Sequence, residues 1–446
     1  MSLLAHAVHK SPVSPAMRSF EAQWQSRTVD SLAAIREKAM ERFLALGLPT
    51  NRNESWRYTN IRSLNGIHFA PAPNYARGEL EPFASVSLLD AEQRAATISM
   101  INGYPQLQSI DSVINEIEVA SLKEFARLEP KLLMDFIGTQ SDADNQRWAL
   151  LNTALFPDGL YLRITKKVST PLVILHVGVG TEADTIAYPR VIIEARPGAS
   201  ATIIEHHVAQ GDRAVTVNSN TTVTLRHGAQ LEHYRVFATG QNSAHFDYLR
   251  ARQEQDSHLK QFTIALGGGM VRADMEVDLM QSGATLDSQA LLVGYENRHV
   301  DCVNIVNHAA PDTTSRQTAR AIASDTSRVV FNSKVIVQRG AVRSESQQSC
   351  RGLLLSQAAE IDSRPQLEIY TDEVKCAHGA TTGRLDPDML FYLLSRGLDR
   401  NTAQSLLVFA FLADVLTGMS VPSARTSIEN ALINQMPDSQ LLRNFR

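Results

Sequence analysis

Between residues 198 and 341 the dipeptide Gly-Ala recurs as Gly198-Ala199, Gly228-Ala229, Gly283-Ala284 and Gly340-Ala341, at intervals of 30, 55 and 57 residues. These intervals are one, two and two units of about 28 residues, a period in the range of repeat architectures. Where the absent members would fall, the chain carries the polar, turn-forming stretches EQDSHL at 254–259 and APDTTS at 310–315. Between the turns lie short runs such as TPLVILHV, YPRVIIEA, ATIIEHHV and TTVTLRH, in which Val, Ile, Thr, Leu and Tyr alternate with polar residues as in β-strands. Strands punctuated at a fixed period predict stacked β coils, each burying its neighbour's apolar face in one continuous core. Two competing readings are unrelated turns, since glycine is common in them, and a sandwich, which would space its turns less regularly.

The flanks have a different texture. Residues 1–150 are read as an α-rich N-terminal domain, 151–385 as the β-helix core, and 386–446 as a C-terminal helical domain. From Ser31 to Leu46, the residues Leu32, Ile35, Ala39, Phe43 and Leu46 recur at helical spacing, with Gly47 and Pro49 where a helix should stop. In the C-terminal part, Asp386 is a good N-cap, with Pro387 at the first helical position and Gly397 just past the end. A second helix after Asp399 carries Ala403, Leu406, Leu407, Ala410 and Phe411 on one face, while Val408, Phe409 and Leu412 add apolar surface elsewhere. A third surrounds Ile428 and Leu432. A helix that is apolar nearly all round must be buried. It is covered either by its own three-helix cap or by a partner.

A chain of 446 residues with 43% hydrophobic and 20% charged residues can bury a large core. A formal charge of −4 without a basic run argues against nucleic acid and against an anionic membrane. The apolar run near LLVFAFLADVL is too short to span a bilayer and contains Asp414, and MSLLAHAVHKSPVSP has no leader-like apolar stretch, so a cytoplasmic protein is expected. Cys302, Cys350 and Cys376 are odd in number and far apart, which predicts reduced thiols. Walker A, nucleophile-elbow and His-Glu-x-x-His patterns are absent, and Gly267 to Gly269 lack dinucleotide-binding spacing.

The stretch EVKCAHGATTGRLDPDML, residues 373–390, places Cys376 and His378 one residue apart. If the chain is extended there, both side chains point to one side, because strand side chains alternate. A thiolate with an imidazole favours zinc, copper or iron-sulfur chemistry over magnesium or calcium. Two ligands do not complete such a site, so other donors must come from the fold or from a second protein. The alternative is a buried cysteine and a hydrogen-bonded histidine. In IIEHHV and QLEHYRV, Glu205-His206 and Glu232-His233 fall about one coil apart, which would stack them or set them in a solvent-facing ladder.

The segment VKCAHGATTGRLDPDMLFYLLSRGL, residues 374–398, closely resembles the hallmark of the SufD family, subunits of the bacterial Suf iron-sulfur cluster assembly complex. ESWRYTNI, residues 54–61, is similar to a Trp-Arg-Tyr-Thr element near the start of that family, and the order of helical, strand-rich and helical parts fits along the whole chain. The resemblance implies a mainly β fold with α: a right-handed parallel β-helix core flanked by N-terminal and C-terminal helical domains. It implies pairing with a SufB-type scaffold through the end of the β-helix, and binding of a SufC-type ABC ATPase by the C-terminal helices. On that basis Leu406, Leu407, Phe409 and Phe411 are candidates for docking the ATPase. Cys376 and His378 become half of a metal site shared with SufB, which holds iron or an iron-sulfur cluster transiently, with His378 the functionally important member. Participation of a flavin stays open. Ala377 stands where the family often has Ser, and it faces away from the pair. The reading is a scaffold or iron-delivery subunit, not an enzyme; its alternatives are a β-helix polysaccharide lyase or hydrolase and a purely structural adaptor.

Overall fold

The computed structural model describes residues 14–75, 88–107, 115–138, 146–210 and 213–436, so that nearly all of the stretch scanned for a leader lies outside the described residues. Two sheets face each other. One runs from Arg190–Ala195 through Val215–Leu225, Ala244–Gln253, Met270–Leu279, His299–His308 and Arg328–Val337 to Glu360–Ile369. The other runs from Leu172–Val179 through Ser200–Gln210, Gln230–Ala238, His258–Ala265, Thr285–Gly294, Thr314–Ala323 and Glu345–Leu354 to Lys375–Gly383. The chain alternates between the sheets and each strand pairs in parallel with the one a coil later, which makes a β-helix of about seven turns.

The Gly-Ala repeat marks one corner of the coils. Gly198, Gly228, Gly283 and Gly340 have φ of 69°, 65°, 76° and 83°, in the left-handed region where a Cβ is penalised. The two gaps in the repeat are filled by Asp256 and Asp312, with φ of 53° and 57°; aspartate tolerates this conformation better than most residues. Both lie in the turn stretches singled out from the sequence. The next residue points into the lumen and must be small: Ala199, Ala229, Ser257, Ala284, Thr313 and Ala341 are at most 1% exposed. Successive corners are tied together, since Gly228 N donates to Gln255 O at 2.9 Å and Asp256 N to Ser282 O at 3.1 Å.

Inside the coils two apolar columns form. One stacks Leu225, Leu231, Leu259, Val277, Leu286, Val306 and Val335. The other stacks Phe237, Ala273, Phe331 and Ala319, and includes Cys302 and Cys350.

Helices cover both outer faces. They are α1 (Pro15–Ser26), α2 (Ala33–Leu46), α3 (Arg62–Asn65), α4 (Leu122–Leu128), α5 (Pro130–Ile137), α6 (Arg147–Leu155), α7 (Pro387–Ser395), α8 (Arg400–Leu416) and α9 (Pro422–Gln435). Helix α2 is the periodic segment read from the sequence, and it stops at Gly47 with φ of 65°. Helix α6 lies on the first sheet, where Trp148 stacks on Phe246 with centroids 3.9 Å apart. Helices α8 and α9 lie on the second sheet, packing Val408, Leu412, Val415, Ile428 and Leu432 against Tyr234, Phe262, Ile264, Leu291 and Ile322. Arg320 on that sheet pairs with Asp414, the one carboxylate of α8. Because both faces are covered, Val215–Leu225 is buried at every position, as in parallel sheets generally.

The ESWRYTNI element pins the N-terminal region across consecutive coils. Trp56 is fully buried, with the Arg272 guanidinium 3.7 Å from its ring centroid. Arg272 in turn donates to Ser55 O at 2.9 Å and to Asp301 Oδ2 at 2.5 Å, and Thr59 donates to the same aspartate. Glu54 reaches Arg364 at 2.6 Å, two coils further on. Among the described residues no helix is long and apolar enough to cross a membrane.

The pairing foreseen for the Glu-His dipeptides is not what forms. Glu205 stands opposite Arg235, and His233 opposite Ile203, because the coil between them advances by 30 residues and not 27. Nor do they face solvent: Glu205, His206 and His233 are at most 4% exposed, and the His233 ring reaches Glu205 Oε1 on the neighbouring strand of the same sheet at 2.9 Å.

Candidate functional site

The two ends of the coil stack differ. At the N-terminal end Ile117–Ser121 pairs antiparallel with Leu160–Ile164, while Ala96–Ile101 adds in parallel to Leu172–Val179 and is followed by Tyr104–Pro105. At the C-terminal end, Glu360–Ile369 and Lys375–Gly383 are the last strands of their sheets, and no described residue pairs with their outer edges. They are also the least covered strands, half-buried to exposed throughout. Pro365 withholds one donor from the first of these edges, a position where a strand accepts proline.

Cys376 and His378 sit on the last strand, and strand alternation puts them on one side of it. Cys376 lies opposite Ser346 and His378 opposite Gln348. Cys376 is half-buried and closes one apolar column of the lumen; His378 is exposed. Beneath His378, Gln348 is 2% exposed, donates through Nε2 to Gln366 O at 3.3 Å, and keeps an Oε1 with no hydrogen-bond partner. A cleft of about 330 Å³ opens beside the cysteine, lined by Ser315, Arg316, Ser346, Gln347, Lys375 and Ala377.

Burial pushes the Cys376 thiol above its ordinary range, and a backbone hydrogen bond from Ser346 works in the opposite direction. Such a thiol keeps its proton until a metal ion or a nearby cation displaces it. The other two cysteines belong to the opposite apolar column: burial holds Cys302 up at about 12 and also raises Cys350. Cys350 stands opposite Ala380, four residues along the strand from Cys376. Among the described residues, the side-chain groups close enough together to hold an ion include neither Cys376 nor His378.

The C-terminal helices expose a second surface. Asp386 caps α7 by accepting from Asp388 N at 2.8 Å. No residue of α7 is buried, and Met389, Phe391 and Tyr392 are 58%, 71% and 56% exposed. On α8, Leu406, Leu407, Phe409 and Phe411 are half-buried, and Leu406, Phe409 and Phe411 pack against the apolar cluster under α8 and α9. The more open apolar face is therefore that of α7, which sequence reading valued for its caps alone. The signal was available, since PDMLFYLLS is as apolar all round as α8.

Comparison with known proteins bears on the whole chain. The profile of the SUF system FeS cluster assembly SufBD core domain matches residues 178–411, and that of the SufBD protein N-terminal region matches 17–174. The iron-sulfur cluster assembly protein SufD of Escherichia coli is 28% identical over 400 residues, covering 89% of this chain and 90% of that protein. A SufBD family protein of Synechocystis is 26% identical over 94% of this chain and 95% of its own length, and the SufD protein of Bacillus subtilis is 22% identical over 90% and 93%. With both profiles spanning nearly all of the described fold, the chain belongs to the SufBD family, whose members take part in iron-sulfur cluster assembly.

Proposed function

We propose that this chain is a cytoplasmic scaffold subunit of an iron-sulfur cluster assembly complex, joined through its open end to a SufB-type β-helix and through its C-terminal helices to a SufC-type ABC ATPase. The observation that carries the reading is the pair of unpaired strand edges at Glu360–Ile369 and Lys375–Gly383, with Cys376 and His378 on the latter. An exposed edge of unpaired donors and acceptors is a template for another strand, and a solenoid end that no described residue caps calls for a cover. A second coil stack on this edge would bring its own ligands over Cys376 and His378 and complete a shared soft-metal site. Iron or a nascent cluster is cargo there, held briefly between two proteins, and the chain itself supplies position and two donors. Nucleotide-driven motion of the docked ATPase, passed through α7 and α8 to the neighbouring last coils, would open and close that junction.

The test is co-expression with SufB-type and SufC-type chains, followed by native mass spectrometry and determination of bound iron and sulfide. A complex of all three chains is expected. His378→Ala should leave the complex intact and lower its iron and sulfide by about tenfold, the scale on which losing a metal ligand or its support acts. Unchanged cluster content in an intact complex would reduce the chain to a structural adaptor. Failure of the SufB-type chain to bind would remove the shared site altogether.

A further inference from the structure

The lumen of the early coils contains a cluster of imidazoles and carboxylates that the open-end site does not use. His176 and His207 are register partners on adjacent strands of one sheet, and His245 with Asp247 come from the other sheet. The four are between 0% and 4% exposed, as is Glu205 beside them. Ligand atoms of His207, His245 and Asp247 lie within 4.8 Å of one another, and the same holds for His176, Glu205 and His207.

The hydrogen bonds fix which ring nitrogens are free. Ser219 Oγ donates to Asp247 Oδ1 at 2.5 Å, so it accepts from His245 Nε2, 2.8 Å away. That leaves the His245 Nδ1 lone pair, which has no partner. His176 Nε2 lies 2.8 Å from Glu205 Oε2 and donates to it, leaving its Nδ1 bare as well. His207 is the extreme case: neither Nδ1 nor Nε2 has a hydrogen-bond partner in a ring that is 2% exposed. Buried polar groups of folded proteins are almost always satisfied, so a doubly unpartnered imidazole facing two further bare imidazole nitrogens calls for a missing acceptor of lone pairs.

We propose that this lumen pocket binds a divalent first-row transition-metal ion, with His207 as central ligand and His245 and Asp247 from the opposite sheet completing the set. The geometry prefers these two over His176 and Glu205. The His207 and His245 rings are nearly perpendicular, at 88°, so lone pairs in their planes can converge on one point. The His176 and His207 rings are stacked 4.2 Å apart at 10°, so theirs run side by side. Glu205 is also the more occupied carboxylate, accepting from His233, His176 and Thr221, whereas Asp247 accepts from Ser219 and Arg235. His176 and Glu205 form the adjoining wall.

Charge and ligand chemistry agree. Two carboxylates, Glu205 and Asp247, face the pocket, and the Arg235 guanidinium pairs with Asp247. Imidazole with carboxylate, and no thiolate, suits zinc, iron or cobalt in the divalent state. The Ser219 bridge and the Arg235 pair hold His245 and Asp247 in place, the support that metal ligands commonly have.

This inference does not rest on the function proposed for the open end, and the experiment keeps the two apart. The full chain is expressed in cobalt-supplemented medium, with co-purifying partners if present, washed with chelator, and analysed for metal content and visible absorption. The expected result is one Co²⁺ per chain with d–d bands and no thiolate charge-transfer band. It should be retained in the Cys376→Ala, His378→Ala double variant and reduced by about tenfold or more in His207→Gln. Thermal melts check that the variants fold, and His245→Asn serves if His207→Gln does not. A wild-type chain without bound metal overturns the proposal. So does equal metal in a folded His207 or His245 variant, or loss of the cobalt in the open-end double variant.

Discussion

The first coils of the β-helix and the last ones are built from the same repeat but have opposite surroundings. Around the N-terminal coils, antiparallel strands extend the stack and helices cover the outer face of the first sheet, and Arg, Glu, Asp and His side chains are sealed inside. At the C-terminal end the last two strands keep their edges open and their side chains half-buried or exposed. One repeat therefore serves two purposes, and what surrounds each coil decides which. Closed coils contribute stability; the open coils trade burial for a surface on which something else can pair.

That contrast can be broken by mutation. The largest expected effect is at the closed side: Trp56→Ala removes a fully buried ring from the Arg272 guanidinium and should lower unfolding free energy by about 3–5 kcal/mol, read from urea titrations. If the loss is under about 1 kcal/mol, the N-terminal segment is not part of what closes the stack.

Acid should act next, and on the same coils. In the metal-free chain, burial holds His206 near 4 and His245 near 3, and His308 further along near 4, against 6.5 for a free imidazole. The unfolded chain binds protons first as pH falls, so this stability is complete above about pH 6.5. It declines toward pH 4 by up to about 1.4 kcal/mol per pH unit for each histidine. Unfolding curves at constant ionic strength should show the decline; a flat profile between pH 7 and 5 would mean that these rings take up protons in the folded chain as readily as in the unfolded one.

A smaller effect separates the corners from the open strand. Gly340→Val forces a branched residue to φ of 83° and should cost about 1–2 kcal/mol even though nothing lies within 4 Å of the added Cβ. Gly379→Ala on the last strand, with open space around its Cα and no left-handed requirement, should change thermal stability by less than about 0.5 kcal/mol. Smallest of all is Phe391→Ser on the exposed face of α7, which should leave the melting of the chain alone unchanged while weakening capture of the proposed ATPase partner. Loss of chain stability there would place α7 in the fold and not at a docking surface.

Legibility in the sequence followed the locality of the physics. The corner residues were readable because a left-handed turn admits few residue types, so Gly-Ala and its aspartate substitutes carry the coil period openly. The caps at Asp386 and Asp399 were readable for a similar reason, each being satisfied within one turn of helix. Cys376 and His378 could be placed on one side of a strand by alternation alone. The burial of Glu205, His206 and His233 could not be foreseen, because it depends on a register set by the length of the intervening coil and on helices more than 100 residues away. The exposure of α7 was missed for the converse reason: its composition is that of a buried helix, and only the packing of α8 and α9 against the second sheet leaves it outside.

By itself the sequence determined the repeat, the strands between its corners and the position of the cysteine and histidine on the final strand, since all of these rest on preferences within a few residues. The tertiary structure alone decided which coils are sealed and which stay open, and that charged and imidazole side chains meet inside the lumen. Those outcomes are set by which distant segments cover a face, and coverage is a property of the packed whole that no local pattern encodes.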